Sequence, residues 1–119
     1  MSKFAKYKVS EELENMALEV LDIAVDTGKI KRGINETTKA IERGIAKLVY
    51  FAGDVTPPEI IMHLPPLCSE KKTPFIMISD KKKLGKRAGI EVPTSSVAII
   101  DPGDGVKILK DLIFKLTNE

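Results

Sequence analysis

The stretch that decides the fold is Gly33–Lys39, which reads GINETTK. A glycine followed by Asn35 and Glu36, directly before a run with helical spacing, predicts a turn and then a helix with Asn35 as its N-cap. Asn35 can accept a backbone N–H at the cap, and Glu36 lies near the positive end of the helix dipole. The stretch therefore gathers polar groups at one exposed point.

The helix that follows is amphipathic. Its spacing predicts a helix to about Lys47. The predicted buried stripe consists of Thr37, Ile41, Gly44, Ile45 and Leu48, and the opposite face carries Glu36, Lys39, Arg43 and Lys47. Lys31 and Arg32 lead into its start. Cations suit phosphate, and Asn and Glu can read base edges, so the surface fits nucleic acid. Ordinary capping and helix-surface pairing account for the same residues, and spacing alone does not choose between the two readings.

Helices and apolar strands alternate along the rest of the chain. Such alternation predicts an α/β fold, a three-layer α/β/α sandwich with a central mixed sheet of about four strands. The expected strands are an edge strand over 29–33 and further strands at 48–52, 75–78 and 96–100. The expected helices are one from Ser10 to Gly28, one opened by Pro57 and Pro58 and bent or interrupted by Pro65 and Pro66, and a basic helix capped by Asp80 and ended by Gly89. A last helix is expected from Asp104, with a buried side formed by Val106, Leu109, Leu112, Ile113 and Leu116.

Length and composition indicate one domain over residues 1–119. With 43% hydrophobic residues, a chain of 119 residues can bury a core without metal or disulfide staples. Cys68 is the only cysteine, which excludes an intrachain disulfide and favours a reducing cytoplasm. No apolar run approaches the roughly 20 residues that a membrane span needs. We therefore expect a soluble cytoplasmic protein with no membrane partner.

The net charge is only +2, but the charges are unevenly distributed. Positions 29–47 hold six basic and two acidic residues, and positions 70–91 hold seven basic and three acidic residues. In the first 28 residues the balance is reversed, with three basic and six acidic residues. Clustered cations are typical of a protein with one basic face for RNA. The alternative is that the lysines are simply solvated surface residues.

Residue types that carry catalysis are isolated in this sequence. His63 stands alone in an apolar segment, which favours a packed or surface helix residue over a ligand or base. Cys68 has no base beside it and is expected to be a small core residue. Residues 103–105 read GDG, which fits neither phosphate-loop pattern. We expect no enzyme, no catalytic residues, no metal and no cofactor.

A second candidate surface is the loop Ile90–Pro93. If exposed, Ile90 and Val92 would offer an apolar platform for an unstacked base. Alternatively, both side chains anchor the loop to the core. In open α/β sheets, ligands gather at loops beyond one end of the strands. The Gly33 turn and the loops 54–58 and 90–95 could therefore meet at one end.

The run Lys31–Val49 closely resembles the signature of the archaeal ribosomal protein L7Ae family, whose members bind kink-turn RNA, a sharp bend flanked by tandem sheared G·A pairs. The resemblance continues in order over nearly the whole chain. It includes Asp54, Pro57–Ile60, His63–Pro65, Leu67–Cys68, Leu84–Gly85 and Gly89–Pro93. The family's fold is an α/β/α sandwich.

The resemblance implies roles for the helix start. Asn35, Glu36 and Lys39 would contact the edges of the G·A pairs, with Glu36 accepting hydrogen bonds from a guanine. Gly33 would let the backbone come close to the RNA. Phosphates would be held by Lys31, Arg32 and Arg43.

The resemblance also implies roles for two other segments. Ile90, Glu91 and Val92 match the family's specificity loop, which covers the loop nucleotides, and Ile60 would pack near the extruded base. Thr56 departs from the pattern, because many relatives have Asp or Glu there, and this puts one side-chain contact to the extruded nucleotide in doubt.

As a whole, the resemblance implies a non-catalytic RNA-binding protein that is a monomer when free. It would be a component of the large ribosomal subunit, binding rRNA, and the primary RNA binder of box C/D and H/ACA guide particles, with ribonuclease P and tRNA processing as a further role. In guide particles it would form a platform for a scaffold protein and fibrillarin. The alternatives are a protein-interaction scaffold that uses Pro57–Leu67 and a small RNA-modifying enzyme.

Overall fold

The computed structural model describes residues 7–117. In chain order, its helices and strands are α1 (Glu11–Thr27), β1 (Lys29–Arg32), α2 (Ile34–Glu42), β2 (Leu48–Ala52), α3 (Leu64–Glu70), β3 (Phe75–Ile78), α4 (Lys81–Arg87), β4 (Ser96–Asp101) and α5 (Val106–Thr117). Single 3-10 turns lie at Pro58–Ile60 and Gly103–Gly105.

The four strands form one mixed sheet in the order β1-β4-β2-β3. Strand β4 is antiparallel to β1 and β2, and β2 is parallel to β3. Helix α1 contacts α4 and α5, whereas α2 contacts α3. The predicted α/β sandwich with four strands is confirmed. Because β1, β2 and β3 run in one direction, the segments that follow them lie at the same edge of the sheet as the segment before β4.

The core is built on β2 and α1. Every residue of β2 is buried, as expected for an interior strand covered on both faces. Helix α1 begins where predicted, because the Ser10 hydroxyl accepts a hydrogen bond from the Leu13 N–H at 3.2 Å. The two elements are joined by the Tyr50 hydroxyl, which donates to the Ala17 carbonyl at 2.6 Å. Burial, with a smaller effect of Asp22, raises the pKa of Tyr50 well above its ordinary value.

The predicted bounds of α2 are wrong at both ends. Gly33, not Asn35, is the N-cap, because the Gly33 carbonyl accepts the first helical hydrogen bond, from Thr37 N. The helix ends at Glu42 rather than near Lys47, because Gly44 (φ 69°) is left-handed. Gly44 N donates to Ile41 O and Ile45 N to Ala40 O, the pattern of a Schellman C-cap. The predicted buried stripe therefore stops at Ile41, and Gly44 and Ile45 are exposed.

Two further local predictions are corrected. Pro65 and Pro66 do not interrupt a helix that starts at Pro57; they lie in the first turn of α3, where the missing N–H groups would have no helical partner. Val106 is 43% exposed, so it does not belong to the buried side of α5. The other predicted apolar positions of that helix are buried or partly buried. No helix within residues 7–117 is long and apolar enough to cross a membrane.

Candidate nucleic-acid interface

Three loops meet at the edge of the sheet where β1, β2 and β3 end. The Gly33 N–H donates to the Ser96 carbonyl at 2.9 Å, which joins the start of α2 to the start of β4. The Ala52 N–H donates to the Ser95 carbonyl at 2.9 Å, and the Lys81 N–H donates to Asp54 Oδ1 at 2.8 Å. The expected meeting of the Gly33 turn with the 54–58 and 90–95 segments is therefore observed.

The start of α2 presents polar side chains to solvent. Gly33 (φ 90°, ψ 161°) has a backbone conformation that residues with a Cβ rarely adopt. Asn35 and Glu36 follow in the first turn and are exposed. Lys39 Nζ lies 3.7 Å from Glu36 Oε2, with side chains 57% and 47% exposed. An exposed pair of this kind contributes only about 0–1 kcal/mol, so either group can turn to a ligand at little cost. We call Gly33, Asn35, Glu36 and Lys39 the α2 corner.

The neighbouring Arg32 connects the α2 corner to α4. Its Nε donates a hydrogen bond of 2.6 Å to the carbonyl oxygen of Ala88, the C-cap residue of α4. Gly89 lies beside this bond: a Cβ placed on it would be in ordinary contact with Arg32 Nη2, at 3.5 Å. The predicted phosphate-binding arginine therefore also has a positioning role, which sequence reasoning missed.

The loop after α4 is fixed at both ends. At its start, Gly89 (φ 83°) donates to Lys86 O and Ile90 N donates to Gly85 O, again the pattern of a Schellman C-cap. At its end, buried Thr94 donates from its backbone to Lys81 O and from its hydroxyl to Ser96 O.

The middle of this loop lies across α4 and is open to solvent. A Cβ on Gly85 would lie 2.1 Å from the Val92 carbonyl oxygen, so only glycine fits beneath the loop. Val92 is 62% exposed, Glu91 is exposed and Ile90 is partly buried. Val92 is thus not an anchor to the core, which leaves it available as part of an apolar platform.

Asp54 holds the segment after β2 against the start of α4. Its Oδ1 accepts the Lys81 N–H, while Asp80 Oδ1 accepts the N–H groups of Lys82 at 2.7 Å and Lys83 at 3.4 Å. Two carboxylates thus cap one helix. The sequence predicts the cap by Asp80 but not the contribution of Asp54, because 27 residues separate Asp54 from its partner.

The remaining predicted residues lie around this edge at different distances. Ile60 is 41% exposed in the turn before α3, and Thr56 precedes it in a loop where the Thr56–Pro57 peptide is cis. Lys31 is exposed on β1. Arg43 is the C-cap residue of α2, roughly 12 Å along the helix axis from Asn35 at about 1.5 Å per residue. Arg43 is therefore peripheral to the α2 corner.

The two residues considered for catalysis have other surroundings. His63 is exposed at the N-cap of α3, and its Nε2 lies 2.9 Å from Thr38 Oγ1 on α2. Cys68 is fully buried, as predicted for a core residue, and burial raises the pKa of its thiol to about 12. Within the described part of the chain, no three His, Cys, Asp or Glu side chains are grouped so that they could hold a metal ion.

Comparison with known proteins identifies relatives of this fold. A model of the Ribosomal protein L7Ae/L30e/S12e/Gadd45 family matches residues 15–109. Among solved structures, the Giardia lamblia 15.5kD RNA binding protein superimposes with a TM-score of 0.92 and is 31% identical. That match covers 99% of this chain and 98% of the Giardia chain.

Proposed function

The chain belongs to the Ribosomal protein L7Ae/L30e/S12e/Gadd45 family, and on that premise we propose that it is a non-catalytic protein that binds kink-turn RNA. The observation that carries the proposal is the meeting of the α2 corner with the Ile90–Val92 loop at one edge of the sheet, through the hydrogen bonds of Gly33 and Arg32. The similarity to a Giardia protein described as RNA-binding supports the same class of ligand.

The α2 corner is proposed to read the sheared G·A pairs. Glu36 accepts hydrogen bonds from a guanine edge, and Asn35 can both donate and accept at a neighbouring base. Lys39, now paired with Glu36, moves to a base or phosphate when the carboxylate is engaged. A Cβ placed on Gly33 would have no heavy atom within 4 Å, so the backbone there is open to close approach by RNA.

The surrounding residues are proposed to hold the backbone and the loop nucleotides. Lys31 and the Nη nitrogens of Arg32 bind phosphates near the corner, and Arg43 binds one farther along α2. On the other side of the kink, the exposed Val92 and partly buried Ile90 cover unstacked bases, as aromatic and apolar surfaces commonly do in RNA recognition. Ile60 packs near the extruded base, and Thr56 supplies no carboxylate there.

The proposed cellular roles are those that the resemblance to the family implies. In this proposal the chain serves the large ribosomal subunit, box C/D and H/ACA guide particles and ribonuclease P, in an archaeal cytoplasm. In guide particles the protein and the bent RNA together present a platform to a scaffold protein and fibrillarin, and catalysis belongs to those partners. The free protein is a monomer.

Replacement of Glu36 tests the proposed site directly. Glu36→Ala is compared with Glu42→Ala, which removes the same charge from the exposed last turn of the same helix. Affinity is measured for a kink-turn RNA and for the same RNA with its G·A pairs changed to Watson–Crick pairs. We expect Glu36→Ala to lose on the order of 1–3 kcal/mol of discrimination and Glu42→Ala to lose almost none. Full discrimination by a folded Glu36→Ala protein would refute the assignment.

A further inference from the structure

A groove of about 500 Å³ lies between α4 and the loop that follows it. The groove borders the loop Ile90–Pro93 and extends along α4 to Lys82 and Lys86, which have no part in the proposed kink-turn contacts. Its walls are mainly apolar, with two lysines at the side. The lining residues are Lys82, Lys86, Ile90, Glu91, Val92 and Pro93.

Four of the five cations of α4 fall into two pairs with different surroundings. Lys83 Nζ lies 3.6 Å from Glu14 Oε2, and Arg87 Nη1 lies 2.6 Å from Asp22 Oδ2, so this pair joins α4 to α1. Lys82 and Lys86 are one helical turn apart, exposed, and without an ion pair to any residue between 7 and 117. Helical spacing therefore places two unneutralised ammonium groups on the groove side of α4.

We propose that this groove binds a single-stranded segment of the same RNA, adjoining the kink. Lys82 and Lys86 hold successive phosphates, while Val92 and Pro93 provide the apolar wall for a base or ribose. The inference rests on the proposed function, because Ile90 and Val92 belong both to this groove and to the proposed kink-turn surface.

Charge and chemistry favour a nucleotide over an acidic protein segment. The exposed Glu91 lines the groove together with the two lysines. Its carboxylate can accept hydrogen bonds from the amino groups of bases, whereas the acidic side chains of such a segment offer it no donor. A nucleotide can contact the lysines, the apolar wall and Glu91 at once. Its phosphate binds the lysines, the face of its base packs on the apolar wall, and an amino group of the base donates to Glu91.

The test uses a double substitution and a charge-matched control. Lys82→Ala with Lys86→Ala is compared with Lys107→Ala with Lys110→Ala, which removes two exposed lysines from α5. The affinity of each full-length protein for a kink-turn RNA with single-stranded extensions is measured over a series of salt concentrations. Losing two phosphate contacts reduces the slope of log affinity against log salt by about 1.4–1.8. The α5 control keeps the slope of the wild type.

The outcomes separate this inference from the proposed function. If the wild type prefers the kink-turn over its Watson–Crick counterpart while the Lys82 and Lys86 variant keeps the wild-type slope, the groove assignment is overturned and the proposed function stands. If the wild type shows no preference for the kink-turn, but the Lys82 and Lys86 variant has a reduced salt slope and the α5 control does not, the groove binds RNA and the kink-turn proposal fails. Binding of an acidic amphipathic peptide in the groove, with RNA affinity unchanged by the substitutions, would also overturn the inference.

Discussion

Arg32 Nε donates a hydrogen bond of 2.6 Å to the carbonyl oxygen of Ala88, which lies 56 residues later in the chain. The bond joins the end of β1, beside the α2 corner, to the end of α4, where the Ile90–Val92 loop begins. Both halves of the proposed interface are therefore positioned by the protein itself before RNA binds. Such preorganisation lowers the entropic cost of ordering a loop on binding.

Removing this bond should loosen the loop as well as remove a charge. Arg32→Ala is compared with Lys31→Ala, the exposed cation beside it. Both variants should lower the salt slope by about 0.7–0.9, the value for one phosphate contact. Only Arg32→Ala should also weaken binding at high salt and speed amide hydrogen exchange over residues 89–92. Equal high-salt affinities with unchanged exchange would show that Arg32 acts only as a charge.

Gly33 should tolerate substitution poorly for reasons of backbone conformation rather than space. No heavy atom lies within 4 Å of a Cβ at Gly33, but its φ of 90° and ψ of 161° fall in a region used almost only by glycine. Gly33→Ala should cost about 1–3 kcal/mol of unfolding free energy in urea titrations. The control is Gly44→Asn, because Asn tolerates the left-handed conformation at φ 69°. Equal losses in the two variants would contradict this explanation.

Gly85 should be required for a different reason, the loop that crosses it. A Cβ at Gly85 would meet the Val92 carbonyl oxygen at 2.1 Å and Pro93 Cα at 3.1 Å, so Gly85→Ala must displace the loop. We expect a loss of about 1–3 kcal/mol in stability together with weaker RNA binding. Gly53→Ala is the control, because its obstacle is the flexible end of Met77, with Sδ at 2.8 Å. RNA binding by Gly85→Ala as tight as that of Gly53→Ala would contradict the prediction.

The sequence predicts the helices and strands of this fold better than the contacts at which they meet. The Ser10 and Asp80 caps and the apolar runs of β2 and β3 follow from local chemistry, and the structure agrees. The predicted N-cap of α2 is wrong because both Gly33 and Asn35 suit that position. The choice depends on a tertiary contact, the hydrogen bond from Gly33 N to Ser96 O.

For the candidate site, too, sequence reasoning identifies candidate residues but not the tertiary contacts that hold them in place. Its residues are identified by resemblance to a family, and their individual roles toward RNA stay predictions. What no local pattern could indicate are the contacts that position them. The bonds from Arg32 to Ala88 and from Lys81 to Asp54 join residues 56 and 27 positions apart, and such pairs become neighbours only when the sheet forms.

Cys68 gives a prediction about alkaline pH. Burial raises the pKa of its thiol from 9.0 in the reference state to about 12. The protonated thiol is therefore favoured by folding, and this contribution is complete below pH 9 and is lost as the pH rises toward 12. The stability difference between wild type and Cys68→Ala should narrow over that range in urea titrations at each pH. An unchanged difference would mean that the thiol is not desolvated.

The same burial should protect Cys68 from modification. At about pH 8, alkylation by iodoacetamide requires the thiolate and access to the sulfur. We expect the native protein to react far more slowly than the protein in urea, at a rate that follows unfolding. Rapid alkylation of the native protein would contradict the buried position of Cys68.

The most direct test of the central claim is a titration of the wild-type protein against two RNAs at one moderate salt concentration. One RNA contains a kink-turn, and the other differs only in that its tandem G·A pairs are Watson–Crick pairs. Recognition through the α2 corner predicts tighter binding of the kink-turn by a factor of hundreds or more. Equal and salt-sensitive binding of both RNAs would mean that the basic surface binds phosphate without selectivity, and it would contradict the roles proposed for Asn35, Glu36 and Lys39.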